Sequence, residues 1–299
     1  MQYDEIIVPE LLPPSEDGVF KTLLTHPDAK PILRDIVESY LKIPVINIEV
    51  RNVELPISDI REKRERFDVN CTADDGTQFE IEMQSDLMQG DNSVTGHKIV
   101  KCRAVYHLCD LHSGQSGRSI RYDRLMRSYQ MTFCGYTVFP QLDDFISRFS
   151  FRDKNGLELV DSVGIIFVEL TKLNDIMKKA VKDMTGEEFW ALFFAIGSDP
   201  EHKDLLDKMI AARSEIKMAR DLLQTISKDE DERARFRARK KFQMDWDHSF
   251  IVARDEGREE EKREIAINLL NIGDSCDKIA LVTGLSKDEI EKLRYTKDA

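Results

Sequence analysis

The chain has 299 residues, of which 41% are hydrophobic and 33% charged, and its formal net charge is -12 at pH 7. A chain of this length can bury a large core, so we expect one domain followed by a helical extension. The negative charge excludes a protein whose whole surface binds nucleic acid, because contacts to phosphate need Lys and Arg side chains. Local basic patches must make any such contacts. The candidates, each of which can equally be a solvated surface, are Lys98, Lys101 and Arg103, then Arg118, Arg121, Arg124 and Arg127, and finally the run from Arg233 to Lys241.

Membrane spans, secretion signals and disulfides are not expected in this chain. No apolar run approaches the roughly 18 residues that cross a bilayer, and the first residues lack a basic segment followed by an apolar one. The five cysteines are odd in number and show no CxxC spacing, which favours free thiols and a cytoplasmic location. A zinc-organised regulator that uses the region of His107 and Cys109, with His112 and Cys102 nearby, is an alternative, although side chains on one helix would point in different directions.

The first 175 residues alternate between helical and strand patterns. Such an order predicts an α/β fold with a mixed β-sheet flanked by helices, ending near residue 175. The predicted elements are helices near 16–24 and 31–41, a strand over 45–55, a hairpin over 66–84, a helix over 94–112, and strands over 128–139, 145–151 and 163–170. In the predicted helix over 94–112, the residues at helical spacing are Ile99, Cys102, Val105, Tyr106, Leu108 and Cys109.

Residues 176–299 are predicted to be a mostly helical extension. We expect helices over 187–196 and 201–227 and an exposed or self-associating charged helix over 229–263. The end of the chain, residues 265–294, breaks at Gly273 and again near Gly284, and Ser286 is placed to cap the next helix. This pattern resembles a small helix-turn-helix, although an ordinary helical hairpin has the same spacing.

The most informative stretch is the hairpin from Arg66 to Gln84. Its turn, Asp74-Asp75-Gly76, suits a three-residue loop because Gly adopts the left-handed conformation that such loops need. Ala73 then faces Thr77, and the same register places Asp68 opposite Glu82, where side chains approach within about 5 Å. The hairpin therefore predicts two carboxylates side by side.

The two faces of the second hairpin strand differ in chemistry. A period of two sends Phe79, Ile81 and Met83 to the apolar side and Glu80, Glu82 and Gln84 to the other. Carboxylates on adjacent strands are hard oxygen ligands of the kind that Mg²⁺ prefers, and a metal held there can polarise a phosphate and help to generate hydroxide. We interpret Glu80 as a surface residue. For Asp68 and Glu82 a solvated strand face is the alternative to a metal-dependent nuclease site.

Five short motifs occur in a fixed order along the chain. Together they resemble the Rpn family of recombination-promoting nucleases, transposase-like members of the PD-(D/E)XK superfamily, over roughly residues 15 to 260. The resemblance implies a restriction-endonuclease-like core, cleavage of double-stranded DNA and a role in recombination in bacteria. The motifs are Asp17-Gly-Val-Phe-Lys21, Arg66-Phe-Asp68, Phe79-Glu-Ile-Glu-Met-Gln84, Arg127-Ser-Tyr-Gln-Met-Thr-Phe133 and Phe167-Val-Glu-Leu-Thr-Lys172.

The resemblance also assigns roles to individual residues. Asp68 and Glu82 match the metal-binding acids, the backbone carbonyl of Met83 is a further ligand, and Gln84 takes the place of the superfamily Lys. A neutral amide cannot carry the charge of that Lys, although it can orient water. One helical turn separates Asp17 from Lys21, so they can serve as an added acid and a phosphate contact, or simply form a local ion pair.

Two classes of function follow from these observations. The first is a DNA endonuclease that uses a divalent metal, most simply Mg²⁺ but also Mn²⁺ or Ca²⁺, and acts as a dimer. The alternative is a nuclease fold without activity that binds DNA or pairs with an active homologue, which the acidic charge and Gln84 favour. For either class we expect Phe236, Phe242, Trp246 and Phe250 to be covered, either by the core or by a second subunit. The basic surface expected to bind the DNA backbone consists of Arg235, Arg237, Arg239, Lys240 and Lys241.

Overall fold

A computed structural model describes residues 8–51, 69–85, 94–115 and 121–295. Within these ranges the chain forms a six-stranded mixed sheet, helices on both sides of it, and a helical C-terminal part. The expected α/β fold is therefore confirmed. The strands are β1 (Ile48–Val50), β2 (Val69–Ala73), β3 (Gln78–Gln84), β4 (Ser128–Cys134), β5 (Ile146–Phe149) and β6 (Val163–Glu169). The helices are α1 (Asp17–Thr25), α2 (Lys30–Leu41), α3 (Val94–Ser113), α4 (Gly186–Ile196), α5 (Lys203–Ala212), α6 (Ser214–Lys228), α7 (Glu230–Asn271), α8 (Cys276–Thr283) and α9 (Lys287–Tyr295).

The strand order of the sheet is β1-β2-β3-β4-β6-β5. The hairpin β2–β3 is antiparallel, β3, β4 and β6 run parallel to one another, and β5 returns antiparallel along β6. The central strands β3, β4 and β6 are buried along nearly their whole length. Helices must therefore cover both of their faces.

The larger core lies on the apolar face of the sheet. There Ile81 and Met83 of β3 and Phe133 of β4 pack with α1, α2, α4 and α6. The ring of Phe133 lies 5.7 Å from that of Phe20, 5.5 Å from that of Tyr40 and 4.9 Å from that of Phe194. This aromatic cluster joins helices from both halves of the chain to one sheet.

Helix α3 covers the opposite face of the sheet. Its Val100, Ala104 and Leu108 are buried against Cys134 of β4 and Phe167 of β6. The helical spacing read from the sequence identified the wrong face, because only Leu108 of that set is buried. The outward face instead carries exposed Ile99, Cys102, Val105, Tyr106 and Cys109.

The single helix expected over residues 201–227 is also wrong. The chain breaks at Arg213, which is extended with φ -140° and ψ 120° and separates α5 from α6. The side chain of Arg213 binds Asp35 of α2 at 3.0 Å and 2.5 Å, and Trp190 donates to the same carboxylate at 2.7 Å. This half-buried polar contact fixes the turn between the two helices.

The chain divides into two compact units, Met1–Arg239 and Lys240–Ala299. Helices α4 and α6 belong to the main core, so the packing units do not coincide with the division expected at residues 175/176. How much of the chain suffices for a folded nuclease core stays a prediction. No described helix is both long enough and apolar enough to cross a membrane.

In the second unit, α8 and α9 form a small cluster with the end of α7 around Ala266, Ile279 and Ile290. The break between α8 and α9 has the expected form. Gly284 has φ +73°, a left-handed conformation that only Gly adopts readily, and Ser286 caps α9 in a reciprocal arrangement with Glu289. The helical hairpin is thus confirmed, and its use in reading DNA bases stays a prediction.

Candidate active site

The hairpin β2–β3 has the register that the sequence predicts. The amide of Ala73 donates to the carbonyl of Thr77 at 2.9 Å, and Val69 lies opposite Ile81. Gly76 closes the turn with φ +85°. Asp68, which precedes Val69 in the sequence, lies outside the described residues, so its predicted pairing with Glu82 stays a prediction.

Glu82 lies at the centre of a buried polar network. Its side chain is 2% exposed, and its Oε1 lies 2.5 Å from Nη2 of Arg103 on α3. The same oxygen accepts a hydrogen bond from Nε2 of Gln84, and Oε2 accepts one from Nε2 of Gln130 at 3.3 Å. Burying a carboxylate is costly unless it is paired and hydrogen-bonded. The network supplies both kinds of partner.

Glu80 is buried as well, so its interpretation as a surface residue is wrong. It is 6% exposed, and its Oε1 contacts Nδ1 of His107 on α3. Arg103 and His107 are four residues apart, which places them on one face of the helix, each above one acid of β3. Sequence reasoning missed both partners because it placed the buried face of α3 elsewhere.

The first turn of α1 meets the carboxyl end of β3. Asp17 Oδ1 accepts hydrogen bonds from the amide of Ser85 at 3.1 Å and from its hydroxyl at 2.6 Å. Gly135, at the end of β4, donates to the carbonyl of Gln84 at 2.8 Å, and a Cβ at this glycine would lie 2.2 Å from the carbonyl oxygen of Ser85. Lys21 follows one turn after Asp17 and is half-buried. Three chain segments therefore converge beside Gln84.

The pKa of Tyr136 depends on the charged groups near Gln84. Burial has the largest effect and raises the pKa of the Tyr136 hydroxyl above its ordinary value. The nearby Cys134, Glu82 and Asp17 raise that pKa further, whereas Arg103 lowers it. Asp17, Glu82 and Arg103 are therefore all near one phenol. Asp17 lies at the end of β3 that carries Gln84, and the functional roles of Asp17 and Lys21 stay predictions.

The carboxylate of Glu82 and the amide oxygen of Gln130 are the kinds of oxygen atom that hard divalent cations bind. Gln130 is 0% exposed, and its Oε1 has no hydrogen-bond partner among the residues that the structure describes. A buried amide oxygen left in this way is destabilising unless a donor or cation meets it, and carboxylate and amide oxygens are ligands of Mg²⁺ and Ca²⁺. Within the described ranges no three His, Cys, Asp or Glu side chains converge on one point. The side chain of Met83 lies in the apolar core, and ligation by its carbonyl stays a prediction.

The residues considered for zinc point to different surroundings. His107 contacts Glu80, and His112 Nδ1 lies 3.0 Å from the hydroxyl of Ser128. Cys102 and Cys109 are exposed. In the described part of the chain, no cluster supports the zinc-organised alternative.

The last motif, Phe167–Lys172, stabilises a loop. Glu169 is 0% exposed, and its Oε1 accepts from the amides of Val138 at 2.6 Å and Phe139 at 3.0 Å. Its Oε2 lies 2.8 Å from Nζ of Lys172, which also donates to the carbonyls of Phe139 and Leu142. The pair therefore ties the loop after β4 to the end of β6.

The basic run on α7 is partly engaged within the first unit. Arg239 binds the carboxylate of Glu16, the N-cap of α1, at 3.0 Å and 3.2 Å, and its guanidinium covers Gly18. Arg235 pairs with Glu232 at 2.5 Å but remains 66% exposed. Arg237 is exposed, and Lys240 and Lys241 begin the second unit. DNA binding by Arg235, Arg237, Arg239, Lys240 and Lys241 stays a prediction. Arg239 already binds the N-cap residue of α1.

The aromatic residues of α7 are covered only in part. Phe236 is 4% exposed, as expected, but Phe242 is 60% exposed and Phe250 is 38% exposed. Trp246 is half-buried, with its ring 6.4 Å from that of Phe242. The expectation is therefore met at Phe236, and for Phe242 and Phe250 cover by a second subunit stays a prediction.

Comparison with known proteins identifies the family. No curated protein and no solved structure matches the chain. Residues 14–253 match the family described as PD-(D/E)XK nuclease family transposase. This range holds β3, the network around Glu82 and most of α7. Because the match spans more than half of the chain, the protein belongs to the PD-(D/E)XK nuclease family of transposases.

Proposed function

We propose that the chain is a divalent-metal-dependent DNA endonuclease that hydrolyses phosphodiester bonds in double-stranded DNA. The observation that carries this proposal is the buried carboxylate of Glu82 on the polar face of β3, held there by Arg103 and by the amide nitrogen of Gln130. Family membership supports a nuclease-like or transposase-like role. Promotion of recombination by strand cleavage, in the cytoplasm of a bacterium, is the finer form of the same proposal.

Asp68 and Glu82 are the residues proposed to hold the metal, Mg²⁺ in the simplest case. When bound, it would polarise a phosphate oxygen and lower the pKa of a water molecule. Gln84 and Gln130 orient the carboxylate of Glu82 through their amide groups. Asp17 accepts two hydrogen bonds from Ser85 and so fixes the position of the chain directly after β3.

The second candidate is a nuclease fold without activity that binds DNA or pairs with an active copy. One observation favours it: Glu82 is already paired with Arg103, and no Lys follows two residues after it in the motif. Against it, the ion pair with Arg103 holds the carboxylate of Glu82 on the polar face of β3, where a metal ligand must lie. In either case we propose a homodimer, which sets two sites against two strands.

Cleavage of supercoiled plasmid separates the two candidates. Purified protein is incubated with the plasmid and Mg²⁺, Mn²⁺ or Ca²⁺, beside Asp68→Ala and Glu82→Ala variants. We expect Mg²⁺ or Mn²⁺ to support nicking, and each variant to lose at least about a hundredfold in rate because a metal ligand is removed. Melting temperatures of the variants control for folding. Wild-type nicking by both variants would show that the site is assigned to the wrong residues.

A further inference from the structure

Position 84 lacks a charge that the neighbouring helix supplies. Gln84 is neutral at every pH, whereas an Arg guanidinium stays protonated throughout the physiological range. Arg103 of α3 places Nη2 2.5 Å from Oε1 of Glu82, the same oxygen that accepts from Gln84. A cation and the amide at position 84 therefore meet on one carboxylate oxygen.

Arg103 is exposed enough to contact a ligand while it stays paired with Glu82. Its side chain is 31% exposed, whereas that of Glu82 is 2% exposed, so the guanidinium lies between the buried acid and solvent. A guanidinium has five N–H donors, and the contact with Glu82 uses the nitrogen Nη2. This geometry suits a second contact with a phosphate oxygen, which binds Arg through charge-assisted hydrogen bonds.

We propose that Arg103 is the cationic group of this site, taking from α3 the role that position 84 cannot fill. Its guanidinium holds Glu82 in place and stabilises the negative charge that develops on the phosphodiester during cleavage. The inference rests on the proposed nuclease function. It adds a residue that lies outside the Phe79–Gln84 motif and on a different element.

The contact between Arg103 and Glu82 predicts that Arg103 lowers metal affinity although it accelerates cleavage. Arg103 and a divalent cation compete for Oε1 of Glu82, and two cations at one carboxylate repel each other. Removing the guanidinium should therefore tighten metal binding while it slows cleavage. A purely structural role predicts the opposite sign for metal affinity, because a displaced Glu82 would bind the metal less well.

The test compares full-length wild type with Arg103→Gln, Arg103→Lys, Gln84→Lys and the double variant Arg103→Gln/Gln84→Lys. Lys154→Gln is the matched control, since it removes one positive charge from an exposed turn that lies outside the candidate DNA-binding patches. Mn²⁺ affinity is measured by calorimetry at pH 8, plasmid cleavage in single turnover, and folding by thermal melting. We expect Arg103→Gln to bind Mn²⁺ at least about tenfold more tightly and to cleave about a hundredfold more slowly. The double variant should regain at least about tenfold in cleavage, because the charge returns at position 84.

Several outcomes would overturn the inference. These are unchanged or weaker Mn²⁺ binding by Arg103→Gln, no recovery in the double variant, or equal effects from Lys154→Gln. If Arg103→Gln does not fold, Arg103→Lys decides, because a retained charge should keep at least about a tenth of the cleavage rate. A wild type that does not cleave, or a Glu82→Gln variant with unchanged Mn²⁺ affinity, would instead refute the proposed function, and the inference would fall with it.

Discussion

The two faces of β3 are equally buried and chemically opposite. Phe79, Ile81 and Met83 enter the apolar core with α1 and α2, whereas Glu80 and Glu82 lie beneath α3. On the first face the helices contribute apolar side chains. On the second, α3 contributes Arg103 and His107 as partners for the acids. The difference shows that alternation along a strand predicts the chemistry of each face but not how deeply it is buried.

Stability alone does not explain the polar face. Buried ion pairs are often no more stabilising than apolar side chains of similar volume, because removing charges from water offsets their attraction. The packing of Leu108 of α3 against Phe167 of β6 shows that hydrophobic residues can also fill the face that α3 covers. Two acids beneath α3 are therefore more consistent with a chemical role than with a structural one.

The largest effect on stability should come from the apolar face. Phe133→Ala removes a ring that is 0% exposed and contacts three other rings, so we expect a loss of about 3–5 kcal/mol in the free energy of unfolding. Denaturant unfolding measures it. The matched change on the other face, Thr132→Val at the adjacent residue, should cost about 1 kcal/mol or less. Equal losses for the two variants would show that the faces do not differ in this way.

A smaller effect is expected from Glu169, a buried acid on the side of the sheet that α3 covers. Glu169→Gln keeps an oxygen for the amides of Val138 and Phe139 but leaves Lys172, which is 12% exposed, without its counter-charge. We expect a loss of about 2–3 kcal/mol in unfolding free energy with unchanged Mn²⁺ affinity. A drop in Mn²⁺ affinity as large as that of Glu82→Gln would show that the two acids share one role.

The smallest effect should arise at the hairpin turn, which sets the register of both faces. The amide of Asn47, followed by that of Ile46, donates to Asp74 and holds the pKa of this exposed carboxyl below its ordinary value. A depressed pKa stabilises the fold above the unfolded-state pKa, and the contribution is lost as the pH falls below about 4. Asp74→Asn should therefore melt lower than wild type at pH 7, with the difference shrinking toward pH 2. A difference that does not change with pH would contradict this account.

Local rules predicted the hairpin well. Turn chemistry at Gly76 and a period of two were enough to place Ala73 opposite Thr77 and to separate Glu82 from Met83, because both rules act within a few residues. The same holds for the cap at Ser286. These are the parts of the fold that short stretches of sequence determine.

Tertiary packing decided what the sequence could not predict. Helix α3 carries two apolar stripes, one containing Ile99 and Tyr106 and the other Val100 and Leu108, so composition does not say which is buried. The buried stripe also includes Arg103 and His107, whose partners lie on β3. The available signal was that Arg103 and His107 stand four residues apart within an apolar stripe. This spacing predicts acidic partners only once the strand opposite the helix is known.

The central claim is that the polar face of β3 holds a divalent metal at Glu82. Crystals soaked in Mn²⁺ and measured near the manganese absorption edge test it most directly. The account predicts an anomalous peak within coordination distance of a Glu82 carboxylate oxygen, with Asp68 as a second ligand, and no peak in crystals of Glu82→Ala. A fully soaked wild-type crystal with no peak there and with Glu82 still bound to Arg103 and Gln130 would contradict it.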